Sequence, residues 1–159
     1  MNKRKLIAAI IEKLRGDLAL HHKAAGAARA EATDEQSKAE NKYDTRGLEA
    51  SYLARGQSRQ AAELGEAIKA FENLVGKDFV PVDGAAVGAA VKLQSGQEVS
   101  NYFIGPRGGG TEVTYENEDV LVITPETPLG SQLLGRKAGE KCLLNVGGQK
   151  QVFEVLAVS

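Results

Sequence analysis

The stretch TDEQSKAENKYDTRG, from Thr33 to Gly47, decides how the first half of this chain folds. It is dense in charge and nearly free of large aliphatic residues, and good helix formers flank it on both sides. Before it, Ile7, Ile11, Leu14, Leu18, His21, Ala25, Ala28 and Ala32 follow alternating steps of four and three. After it, Ala50, Ala54, Gln57, Ala61, Leu64, Ile68, Phe71 and Val75 do the same. Sustained spacing of that kind marks a helical seam. Each seam alone is weak, because one end turns small or polar. Set antiparallel, they match: large residues meet large ones and alanines meet alanines. Position 7 then opposes 75 and position 32 opposes 50, so the chain turns at about Asn41. The stretch is predicted to be the tip of an αα-hairpin. An arm of roughly 30 residues would reach about 45 Å. Its alanine-lined end should be thin and the less stable part, since it buries little area. Gly26, Gly47 and Gly56 would weaken it by about 1 kcal/mol each inside helices.

Composition changes near residue 77. All four prolines and most of the glycines and valines follow it, which is strand-and-turn composition. This divides the chain into a helical hairpin over 1–77, with its tip near 34–47, and a second domain over 78–159. Short strands are predicted at Ala86–Gln94, Glu98–Ile104, Thr111–Tyr115, Val120–Thr124, Lys141–Val146 and Gln151–Val158. Gly96, GPRGGG (Gly105–Gly110) and VGGQ (Val146–Gln149) read as hairpin turns. PLGSQLLG reads as a short helix, with Pro128 near its start and Gly135 past its end. The fold class is α+β: a long helical hairpin followed by a small antiparallel β domain with one short helix.

Several function classes are disfavoured. Net charge is −1 in 159 residues, so no whole-molecule field favours nucleic acid or an anionic membrane. One cysteine, Cys142, allows neither an internal disulfide nor a multi-cysteine metal site. The apolar run after MNKRK ends at Glu12, so the start reads as neither signal peptide nor membrane span, and the cytoplasm is the expected location. His21 falls on the seam and reads as a packing residue, with adjacent His22 on another face. GPRGGG lacks the ending of a phosphate-binding loop and is followed by strand.

The tip carries Glu31, Asp34, Glu35, Glu40 and Asp44 against Lys38 and Lys42. Carboxylates of this kind suit a hard cation such as Mg²⁺, of which a protein often supplies only one or two ligands. The competing reading is a solvated, solubilising loop, in which Thr33–Gln36 forms a capping box.

Two segments resemble a known family. VITPETPLGSQLLGRKAGE (Val122–Glu140) is similar to the C-terminal signature of the bacterial Gre transcript-cleavage factors, S/T-P-[IL]-G-x-x-[IL]-[IL]-G-[KR]-x-x-G-[DE]. Thr127, Pro128, Leu129, Gly130, Leu133, Leu134, Gly135, Arg136, Gly139 and Glu140 fit it. AENKY (Ala39–Tyr43) resembles the E-N-x-x-Y tip motif, with Tyr43 one place early. The resemblance implies an N-terminal coiled coil before an FKBP-like domain, in a cytoplasmic monomer without stand-alone activity. It implies that the protein binds RNA polymerase at its secondary channel, the second domain docking at the rim through Leu133 and Arg136. The tip would lie beside the catalytic Mg²⁺ and promote cleavage of the nascent RNA 3′ end in backtracked complexes. Glu40 takes the position of the motif's glutamate. Three places earlier, where the family has an acid, stands Ser37. The second carboxylate is then Asp44 or Asp34, or the chain occupies the channel without cleaving. The leucines of the signature also have a purely structural reading, as the packing of a short helix on the sheet. A prolyl-isomerase site would need an aromatic-lined pocket, for which this half offers only Phe79, Tyr102, Phe103, Tyr115 and Phe153.

Overall fold

The alternation of apolar and polar residues after position 84 builds a sheet, and the four-three seams before position 75 build two helices. The computed structural model describes residues 1–33, 46–74 and 84–159. Helix α1 spans Lys3–Thr33 and α2 spans Arg46–Glu72. Strands β1 (Ala90–Ser95), β2 (Glu98–Ile104), β3 (Glu112–Tyr115) and β4 (Glu118–Ile123) follow, then helix α3 (Pro128–Leu133), β5 (Lys141–Val146) and β6 (Gln149–Val158). Residues 75–83, where the composition changes, lie outside the described residues, as do Asn41 and the rest of 34–45; the last two residues of the predicted tip, Arg46 and Gly47, begin α2. The chain forms two compact units: Leu14–Glu66, and Met1–Lys13 together with Ala67–Ser159.

The helical unit has the predicted small-residue seam. Ala25, Ala28, Ala50, Ala54 and Ala61 are all buried, each at most 5% exposed. His21 and Gln57, the polar members of the two series, are half-buried and meet at 2.5 Å through Nδ1 and Oε1. Pairing about Asn41 set His21 opposite Ala61, so the observed bond falls one turn nearer the start of α2. Arg29 donates to the Ser58 hydroxyl at 2.7 Å.

In the second unit the sheet order is β3-β4-β2-β1-β6-β5. Because side chains alternate along a strand, one face collects Val91, Leu93, Ile104, Ile123, Cys142 and Val155, which form a buried cluster with Leu133 of α3. The opposite face carries Phe103, Val120 and Val122, all fully buried. Phe71 of α2 covers it, its ring 5.9 Å from that of Phe103. At the start of α1, Lys3 Nζ donates to the Gly88 carbonyl at 3.4 Å. Leu6 and Ile10, which lie off the predicted seam, are fully buried here beside Ile7 and Ile11. The apolar stripe at the base is therefore wider than a two-helix seam requires, as expected of a helix end that also packs in a larger core.

One pairing differs from the expected all-antiparallel sheet. Strand β2 runs parallel to β4, and β3 pairs only with the far side of β4. GPRGGG is thus not a hairpin turn. It carries the chain across the end of β4, bonding to that strand at both ends: Gly105 N–H to the Ile123 carbonyl at 2.7 Å and Gly110 N–H to the Val122 carbonyl at 2.8 Å. A Cβ on Gly105 would lie 2.7 Å from the Phe71 ring and 2.9 Å from Val122, so the crossing needs glycine. The tight hairpin is instead β3–β4, turned by Glu116 and Asn117 with φ of 52° and 63°. Two successive positive φ values match the twist of the flanking strands.

Candidate functional site

The tip residues Asp34, Ser37, Glu40 and Asp44 lie outside the described residues. What is described are the helix ends that the segment 34–45 joins, Thr33 of α1 and Arg46 of α2. Among the described residues no group of three or more His, Cys, Asp or Glu side chains could hold a metal ion. Near its start, α2 carries the exposed Leu48, Tyr52 and Leu53. The Arg55 guanidinium lies 5.9 Å from the Tyr52 ring centroid, within cation–π range.

The segment Thr124–Glu140 is described throughout, and most of it serves its own backbone. Thr127 caps α3: its hydroxyl accepts from Gly130 N–H at 3.1 Å and donates to the Thr124 carbonyl at 2.7 Å. Pro128 occupies the first turn, where its missing N–H leaves no bond unmade. Gly130 presses on the strand end; a Cβ there would fall 1.9 Å from the Thr124 carbonyl oxygen. Gly135, at φ 78°, ends the helix and lies against the loop at Gly84–Ala85. Two backbone bonds of 2.7 Å fasten it there, Gly135 N–H to Ala85 and Ala85 N–H to Arg136. Gly139, at φ 90°, donates to Val155, and the Glu140 carboxylate accepts from Lys137 N–H at 2.7 Å.

Leu133 and Arg136, the two expected docking residues, separate here. Leu133 is fully buried in the sheet's core and presents no surface to a partner. The packing reading of that leucine is the one its burial supports. Its neighbour Leu134 is 43% exposed. Arg136 is half-buried and donates through Nε to the Gln132 carbonyl at 3.1 Å. The loop thus holds one exposed leucine and one anchored guanidinium on a rigid frame. In a six-residue helix, periodicity could not tell Leu133 from Leu134.

Cys142 is buried on β5, and burial pushes its thiol pKa up, partly offset by the nearby Arg136 charge. A depression of about 880 Å³ on the sheet is lined by Tyr102, Leu121, Ser100, Glu98, Glu112 and Asp119, among others. Tyr102 is its one aromatic ring among the described residues. Phe103 is buried against Phe71, Phe153 packs on the core cluster, and Phe79 lies outside the described residues. That lining does not make an aromatic cage of the kind prolyl isomerisation needs.

No family model matches the chain. The transcription elongation factor GreA of Amoebophilus asiaticus (strain 5a2) is 29% identical over 151 residues, which span 94% of this chain and 92% of the relative. Among solved structures, GreA factor homolog 1 (Gfh1) of Thermus thermophilus is 19% identical with a TM-score of 0.36, covering 95% of each chain. Gfh1 of Thermus aquaticus is 21% identical with a TM-score of 0.38, covering 95% of this chain and 94% of its own.

Proposed function

We propose that the chain, similar to a Gre factor along nearly its whole length, is a Gre-family elongation factor of bacterial RNA polymerase. In this reading the polymerase is the enzyme and the chain its accessory. The helical arm enters the secondary channel, and Glu40, with Asp44 or Asp34, helps hold a Mg²⁺ ion shared with the polymerase. Carboxylate oxygens suit that hard cation, and one or two from the protein are a usual number. Such an ion, when bound, activates water for hydrolysis of the transcript's phosphodiester at its 3′ end. The chain's own part is to place the carboxylates and to dock. Docking falls to Leu134 and Arg136, which the capped, glycine-braced loop presents together. A guanidinium already anchored by its Nε loses less rotamer freedom on meeting a carboxylate. The observation that carries the reading is the coincidence of the full-length match with Glu40-Asn41 in the tip.

The test is a backtracked elongation complex incubated with the protein. Release of short 3′ RNA fragments is expected, with Glu40→Ala binding equally well and releasing none. A second reading, in which the chain occupies the channel without cleaving, is favoured by Ser37 standing where the motif has an acid. Wild-type protein that binds yet releases nothing at any Mg²⁺ concentration supports this alternative, as does Ser37→Asp conferring cleavage. Failure to bind the polymerase at all would sink both.

A further inference from the structure

Strand β5 is the outer strand of the sheet; α3 packs against it, Leu133 joining Cys142 in the core cluster, and its outward edge has no backbone partner among the described residues. All six of its residues are in regular register with β6, without a bulge. No backbone hydrogen bond to any residue outside the β5–β6 ladder is made by Lys141–Val146 among the described residues. Proteins normally block such an edge with proline, a bulge, or lysines along the strand. Here there is no proline and one lysine, at its very start. The opposite edge, β3, is four residues long and polar on its outer positions Glu112 and Thr114.

The same strand bears an apolar patch facing solvent. Leu143 is 57% exposed and sits directly opposite Val152 of β6, itself 49% exposed. Polar pairs flank that apolar pair on the same face, Lys141 with Glu154 and Asn145 with Lys150. Cys142, on the other face, is buried in the core cluster.

We propose that β5 pairs antiparallel with β5 of a second copy of this chain, about a two-fold axis at Leu143, making one continuous sheet across two molecules. The register follows from the side chains. An isologous contact makes each residue face its own symmetry mate or a residue an even number of places away, because opposed residues share a face. With Leu143 on the axis, the central row across the junction reads Val152, Leu143, Leu143, Val152. The row on one side reads Glu154, Lys141, Asn145, Lys150, and the row on the other side repeats it in reverse. An apolar row is thus bracketed by two polar rows in which no like charges stand directly opposite. Moving the axis to Cys142 sets Lys141 against Leu143. Moving it to Leu144 sets Leu143 against Asn145. Charge and polarity both select the register centred on Leu143. The single short strand makes a small interface, below about 1,200 Å², of the size that gives weak and transient association. The inference does not depend on the polymerase reading, and it replaces the monomer expected from the sequence by a concentration-dependent dimer.

Sedimentation velocity of the full chain from about 5 to 500 µM tests this. The sedimentation coefficient should rise with concentration, with half-association at about 10–100 µM, as a small interface implies. Leu143→Lys places two ammonium groups face to face across the axis and should weaken association at least tenfold. Because Leu143 is exposed, the variant should keep the wild-type melting temperature. Val152→Lys, next in the row, should act in the same direction. Hydrogen exchange should slow at β5 amides, and not at β3 amides, as concentration rises. A wild-type coefficient that stays constant over the whole range overturns the proposal. So does a dimer that survives Leu143→Lys undiminished, or one that protects another surface.

Discussion

Exchanging glycine for alanine at positions 130 and 26 should move stability in opposite directions, and the structure sets both signs. At Gly130 the added methyl would stand 1.9 Å from the Thr124 carbonyl oxygen and 2.8 Å from the Thr127 hydroxyl. Neither neighbour is the free end of a flexible side chain. The carbonyl accepts from both Thr127 N–H and Thr127 Oγ1, and the hydroxyl is the cap of α3. Relief requires the helix start to move off the strand end. Overpacking of this kind costs about 1–3 kcal/mol, and loss of the cap adds about 1 kcal/mol. A total of roughly 2–4 kcal/mol lowers the melting temperature of a unit this size by about 10–20 °C. Gly26 lies within α1 and nothing comes within 4 Å of its added methyl. There the substitution only removes glycine's excess backbone entropy, worth about 0.5–1 kcal/mol of stabilisation. Thermal unfolding followed by circular dichroism and by calorimetry reads both, the helical unit and the sheet unit being separable transitions if they melt apart. A Gly130→Ala protein that melts within about 2 °C of wild type would show that the loop yields freely and refute the close-approach argument. A destabilised Gly26→Ala would refute the open-surface argument.

Leu133→Ala should cost about 2–5 kcal/mol of stability, as for a leucine deleted from a packed core. Leu134→Ala should change stability by less than about 0.5 kcal/mol and weaken polymerase binding about tenfold, or about 1.4 kcal/mol; urea titration and a binding assay separate the two residues. Cys142 yields a pH prediction. Burial raises its folded pKa above the unfolded value of about 8.5, so its contribution to stability is complete below that pH. It is lost as pH rises through the folded pKa, because the unfolded chain then releases a proton that the folded one retains. Denaturant midpoints of wild type should fall more steeply above about pH 8.5 than those of Cys142→Ala. Parallel curves would show that the thiol does not ionise differently in the two states.

Much of this fold was readable in advance because the signals were periodic. Strands β2 and β5 stand at the predicted residues, and α3 forms where Pro128 and Gly135 bracketed it. The alanine seam is buried as four-three spacing required. The errors come from places where a local signal leaves a non-local choice open. A glycine cluster announces a change of direction, yet nothing within GPRGGG says which strands it connects. That depends on whether β4 or β3 takes the place beside β2, and it is decided by the tight Glu116–Asn117 turn. Its positive φ values fall on residues other than glycine, so no glycine marks that turn in the sequence. Leu6 and Ile10 were available as i+4 partners, but a reading framed on two helices had no third surface for them to face.

The signature segment gives the sharper lesson, because one motif mixes two kinds of residue. Thr127, Gly130, Gly135, Gly139 and Glu140 each satisfy a backbone demand visible in the structure: a cap, a close approach, two positive φ values and a carboxylate on an N–H. Substituting any of them would damage a partner-binding assay by deforming the loop. Such an assay alone would therefore assign to contact what belongs to architecture. Exposure separates the two: Leu134 is open while Leu133 is sealed, and Arg136 is held at one end only. A residue that loses binding while leaving the melting temperature unchanged acts by contact, and the exposed Leu134 is the residue of the signature to test for that behaviour. The same criterion applies to the exposed Leu143 on β5, which lies outside the signature. If both proposals hold, the two exposed leucines serve separate surfaces, Leu134 the polymerase and Leu143 a second copy of the chain, and single substitutions at each should leave the other association intact.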